Sequence, residues 1–208
     1  MHSNLIYAFV ALLLLLAAWI HLMLPRAANI KAVYSLPVLL SCLVILLLPV
    51  NGSPVFYYLR AYIGDLSITS VAFFGAYFIQ RGFGKNIYQA IEVKYLQTLV
   101  VLLGLFLYPF ALGLGQLDPY RLGYHPQALI ILLFFSAIYF WHKAYYFLVF
   151  VVTSVAVGFT LDLLESNNLW DYLLDAVLWL AFTTNLLLSG LRALLIKSRP
   201  RVNRASAD

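Results

Sequence analysis

Apolar residues run along the chain in seven blocks, near 4–24, 34–50, 63–80, 95–115, 127–141, 144–161 and 172–190, parted by short polar stretches. A helix of about 20 apolar residues crosses the ~30 Å of bilayer hydrocarbon, and most blocks are near that length. None alternates apolar and polar residues as a barrel strand does, so helices are predicted. The second and fifth blocks are short, and the fifth and sixth are divided only by His142-Lys143. The stretch 127–161 therefore reads as two spans, or as one long span with an irregular piece. No internal repeat or low-complexity linker appears. The expected fold is all-α, a polytopic transmembrane bundle of about seven spans over 1–196, with a basic tail at 197–208.

Composition supports this reading. Of the 208 residues, 64% are hydrophobic and 10% charged, whereas a soluble domain carries about 25% charged residues. A soluble core cannot hide so much apolar surface, but a bilayer can. No lysine or arginine precedes the first block and no clear cleavage site follows it, so it is expected to be retained as a span. The single cysteine, Cys42, lies inside an apolar block. It excludes a disulfide within the chain and any CxxC redox or metal site, and reads as a small buried hydrophobe.

Charge placement sets an orientation. With seven spans, one face receives Arg26, Lys31, Arg81, Lys85, Lys94, Lys143, Arg192 and the tail residues Lys197, Arg199, Arg201 and Arg204. The other receives only Arg60 and Arg121. Positive residues mark the cytoplasmic side, which predicts an outside N-terminus and a cytoplasmic C-terminus. The tail then acts as a topology signal that also meets anionic headgroups. The bilayer, not nucleic acid, is the partner that the net charge of +5 implies. Short loops fit a multi-pass protein of the cell inner (cytoplasmic) membrane. Tyrosines and tryptophans gather near both expected boundaries. On the inner side Arg81 to Lys94 reads as a short interfacial helix, and His21 and His142 as boundary residues.

Candidate chemistry lies on the outer face, in three polar stretches: Asn51 to Asp65, Gln116 to Pro126, and Asp162 to Asp175. Six of the eight acidic residues fall there: Asp65, Asp118, Asp162, Glu165, Asp171 and Asp175. As a site, Arg60 and Arg121 would grip a phosphate or carboxylate. Tyr124, Asp171 and Asp175 would help bind it, and Asp65, Asp118 or His125 would move protons. Each has a structural counterpart. Asp65 and Asp175 stand where predicted spans begin, and a helix N-terminus favours a carboxylate. Either arginine can instead lock two loops together through an ion pair. A divalent site from Asp162, Glu165, Asp171 and Asp175, paired on helix faces, matches no calcium-loop pattern, so no metal or other cofactor is expected. Deeper polar residues, Ser67, Thr69, Ser70, Thr183, Thr184 and Asn185, suit hydrogen bonds between helices. Pro109 is expected to kink the fourth span.

Family motifs are lacking. There is no lysine in 172–190 for retinal, no histidine set of a ceramidase-type hydrolase, no GxSG of a rhomboid protease and no paired-glutamate motif of a prenyl-protein protease. From Arg60 to Ser67 the chain is similar to a segment in the membrane halves of lipoteichoic-acid-synthase-like and phosphoethanolamine-transferase-like proteins, and eight residues are too few to assign a family. Three functions stay open. The first is a role in cell-envelope or lipid-linked metabolism, with an outward-facing site for a lipid-linked anionic ligand. The second is a non-catalytic scaffold or regulatory subunit with a membrane protein partner. The third is a small transporter, which the nearly neutral midplane disfavours.

Overall fold

The computed structural model describes residues 2–23 and 32–197. Arg26, Lys31 and the tail at 198–208 lie outside the described residues. Within them the protein is helical apart from one two-stranded hairpin. Helix α1 (His2–Met23) is an unbroken apolar run, and α2 (Ala32–Leu47) follows. The chain then turns through β1 (Pro49–Val50) and β2 (Ser53–Pro54). Asn51 and Gly52 form the turn at φ 46° and 84°, the paired left-handed geometry that makes Asn-Gly a favoured hairpin turn.

A short helix α3 (Val55–Ile63) leads to α4 (Ile68–Phe83), capped by Ser67, whose hydroxyl accepts from the Ser70 amide. Helix α5 (Ala90–Ala111) ends two residues after Pro109. A 3-10 turn (Pro119–Gly123) precedes α6 (Gln127–His142) and α7 (Tyr146–Thr160). Thus 127–161 forms two helices, reversed through Lys143 and Ala144, the latter at φ 56°. A single turn α8 (Leu169–Leu173) introduces α9 (Ala176–Lys197).

Each apolar block of the sequence contains one long helix, with shifted ends. Helices α1, α5 and α9 are long and apolar enough to cross a membrane, while α2, α6 and α7 are apolar but shorter. At 1.5 Å per residue the 16 residues of α2 reach about 24 Å.

Helix α4 is the central post. It packs on α1 and α2 on one side and on α7 and α8 on the other. The main core joins α4 to α9, with Leu96, Leu148, Val155, Leu169, Tyr172 and Leu178 all buried. Smaller clusters seat α1 against α2, α3 and α4. Cys42 is buried in one of them.

The segment 81–94 differs from expectation, because it is not a helix of its own. Gly84 takes a left-handed conformation (φ 66°) that ends α4, where a side chain would be strained. The Gln80 side chain accepts from the Ile87 and Tyr88 amides at 3.0 and 3.2 Å, holding the following residues as a loop. Helix α5 starts at Ala90, where Glu92 accepts from the Gln89 amide at 2.7 Å. Glu92 is buried, and its other oxygen accepts from Phe147 N–H at 2.8 Å. One carboxylate thus satisfies free amides at the starts of both α5 and α7. His21 stands in the last turn of α1 and faces the protein. It is fully buried, with its ring edge-on to Phe78 at 5.1 Å.

Candidate functional site

The three polar stretches meet at one end of the bundle. Arg60, in the last turn of α3, bridges two of them. Its guanidinium donates to both oxygens of Asp65 at 2.6 and 2.8 Å, and to Glu165 at 2.8 Å. The Asp65 bond is the chief reason the guanidinium holds its proton more tightly than usual, although burial opposes it. Glu165 is mostly exposed, so its link to Arg60 adds little energy. Asp65 does not begin a helix. Ser67 takes that place, and Asp65 is engaged with Arg60 instead.

Asp175 does stand at a helix start, and it serves two helices. Oδ1 accepts from Leu178 N–H at 2.9 Å, capping α9. Oδ2 accepts from Ser67 N–H at 2.9 Å, from the Ser67 hydroxyl at 2.7 Å, and from the Ser70 hydroxyl, at the start of α4. Tyr7 of α1 joins the same corner by donating to Leu66 C=O at 2.7 Å.

Asp171 faces elsewhere. Its carboxylate accepts from the Tyr120 hydroxyl at 2.9 and 2.8 Å and from the Ser166 hydroxyl. Burial first, then the bond to Asp171, pushes the Tyr120 phenol above its ordinary range. Asn168, fully buried, completes the lock. Its amide donates to Tyr120 C=O at 3.0 Å, and its oxygen accepts from Trp170 N–H at 2.9 Å. The Trp170 indole donates to Pro119 C=O at 3.0 Å. Gly123 makes this approach possible, because a Cβ there would press into Asn168 and lie 2.8 Å from the Trp170 ring.

Asp118, Arg121, Tyr124 and His125 sit on the remaining edge. Asp118 caps the 3-10 turn, accepting from Arg121 N–H at 3.2 Å. Arg121, Tyr124 and His125 are exposed, and the Arg121 side chain makes no ion pair among the described residues. The Tyr124 ring stands edge-on to Tyr120 at 5.7 Å.

The carboxylate pairs do not form as the spacing suggested. Asp162 to Glu165 lies in a turn, with Asp162 at φ 48°. Asp171 and Asp175 serve different partners. Among the described residues, no group of three or more His, Cys, Asp or Glu is placed to hold a metal.

Ser67, Ser70 and Asn168 were not singled out as site residues, yet they carry the assembly. The signals were local: Ser67 precedes a helical run, and Asn168 precedes Leu169-Trp170 as a cap residue does. No protein-family model, curated protein sequence or solved structure matches this chain.

Proposed function

We propose that the chain is a polytopic protein of the cytoplasmic membrane, a non-catalytic scaffold or regulatory subunit of a larger membrane complex. It crosses the bilayer seven times, with its N-terminus outside and its C-terminus in the cytoplasm. The carrying observation is that most of the charged residues at the outer end are engaged with other parts of the chain. Arg60, Asp65, Asp171 and Asp175 each hold chain segments together. A binding site needs polar groups aimed into a cleft. Two clefts among the described residues are lined almost wholly by apolar groups instead. One, of about 340 Å³, is lined by Leu105, Tyr108, Pro109, Leu112 and Trp179 among others. The second, of about 290 Å³, lies between Leu5, Phe9, Leu47 and Phe56.

The seven-span topology is supported by the placement of eleven of the thirteen basic residues on one side. The shorter helices are accommodated by flanking residues and local thinning of the bilayer. Purification from native membranes in mild detergent tests the role. The expected result is a partner membrane protein in stoichiometric amount. Recovery of the chain alone, under conditions that keep known membrane complexes intact, counts against it.

A second reading is favoured by Arg121, Tyr124 and His125, exposed together around one turn. They would meet a lipid-linked anionic group at the outer surface, by the fork geometry of arginine. Arg121→Ala tests it cleanly, since the side chain holds no carboxylate. Reduced binding of phosphate-bearing lipids by the purified variant, at unchanged melting temperature, supports this reading, and unchanged binding rejects it.

A further inference from the structure

Helix α9 is covered only over its first half. Gln97 of α5 donates to Phe182 C=O at 2.8 Å, and the Trp179 indole donates to Val101 C=O at 3.3 Å. Beyond that, every residue from Thr184 to Leu195 is exposed. Leucines on such a face suit lipid, but Asn185 does not. It sits at the middle of the apolar segment Ala176–Leu195, about 14 Å from either end at helical rise. Its only bond among the described residues is a long one of 3.4 Å, in which Oδ1 accepts from the Ser189 hydroxyl. Both amide hydrogens are left without an acceptor among the described residues. Hydrocarbon supplies none, so membrane helices turn such groups toward another helix.

We propose that this face binds α9 of a second copy, in a two-fold symmetric dimer whose Asn185 amides bond each other. A primary amide carries both donor and acceptor, so it is its own complement. Two copies inserted alike hold α9 parallel and Asn185 at one depth, which a two-fold axis along the membrane normal requires. Ala181, Ser189 and Ala193 stand at four-residue steps from Asn185, exposed on its face. Their small side chains let the two backbones approach. Arg192 lies about 10 Å further along the helix, three residues from the end of the span, where a long side chain can extend to the headgroups beyond. This dimer is independent of the scaffold role proposed above.

The test uses purified full-length chain in lipid nanodiscs and liposomes, with subunits counted by single-molecule photobleaching across protein-to-lipid ratios. The expected result is a reversible dimer, weakened at least about tenfold by Asn185→Leu, a factor equal to about 1.4 kcal/mol. Asn185→Gln, which keeps the amide, retains most of the association. Asn185 is exposed and its side chain bonds only Ser189 among the described residues, so the leucine variant keeps its melting temperature. In a Cys42→Ala background that keeps Asn185, Ala181→Cys, exposed on the Asn185 face, forms a disulfide-linked dimer in native membranes when an added copper–phenanthroline oxidant takes up the two electrons, and Leu187→Cys, on the far face, does not. A monomer at every ratio, a dimer indifferent to Asn185→Leu, equal cross-linking at both positions, or cross-linking of Ala181→Cys to a different protein overturns the proposal.

Discussion

Replacing Asp175 probes the corner where α4 and α9 begin. Its carboxylate accepts four hydrogen bonds, two from backbone amides and two from the hydroxyls of Ser67 and Ser70. Both serines are fully buried, so they find little water when the acceptor goes. Loss of a helix cap costs about 1 kcal/mol. Each buried donor left unpaired costs about 1–3 kcal/mol, reduced here because Asp175 itself is half-buried. Asp175→Ala should therefore lose about 3–5 kcal/mol in total. On the scale of a 200-residue domain, that lowers the melting temperature by roughly 6–20 °C. Asp175→Asn keeps one acceptor oxygen and should lose about half as much. The assay is tryptophan-fluorescence melting in mild detergent, run as a double-mutant cycle with Ser70→Ala. Because the two groups share a bond, the losses should fall short of additivity by at least ~0.5 kcal/mol. A loss below ~1 kcal/mol for Asp175→Ala, or strict additivity with Ser70→Ala, would falsify the view that this carboxylate ties the two helix starts together.

Three further expectations follow from the same bonding logic. Glu92→Ala leaves the Phe147 amide unpaired at a buried site and uncaps the partly exposed Gln89 amide, so a loss of about 2–4 kcal/mol is expected by melting; a neutral result removes its role as a double cap. Gly123→Ala drives a methyl group into Asn168 and Trp170, which should cost about 1–3 kcal/mol and expose the 118–124 segment to protease, whereas Gly64→Ala, whose Cβ meets nothing within 4 Å, should show strain but no such loosening. Tyr120 has its ionisation raised by burial and by Asp171. The stability it confers is full below the ordinary tyrosine value near ~10 and falls as pH rises through the higher folded value. The melting difference between the native protein and Tyr120→Phe should therefore be constant from neutral pH to about 10 and shrink above it, and a difference that already varies near neutrality contradicts this assignment.

Helix positions were legible along the chain because a membrane-length apolar run has few alternatives to helix. The break at Lys143, the start of α9 near Asp175 and the gathering of polar residues at one end all followed from where charges interrupt apolar runs. Finer punctuation was harder to read. The segment 81–94 has amphipathic spacing, but the Gln80 side chain and the left-handed Gly84 hold part of it as a loop. A glutamine used as a backbone acceptor leaves no mark in a periodicity. The Asn51-Gly52 hairpin did have a local signature, hidden within what read simply as a polar stretch.

Sequence alone determined that long apolar helices dominate this protein, and which residues are polar enough to need partners. Only the tertiary structure decided who those partners are. Arg60 reaches Glu165 across 105 positions, and Asp175 reaches Ser67 across 108. Composition placed six carboxylates and two arginines at one end as a plausible ligand site. Packing turned most of them into fasteners: Asp175 satisfies free amides at the starts of α4 and α9, Asp65 pairs with Arg60, and Asp171 accepts from the Tyr120 and Ser166 hydroxyls. The same packing left Asn185 uncovered. A linear reading shows an asparagine in an apolar run, but only the arrangement of neighbours shows that it is left exposed by the other described helices.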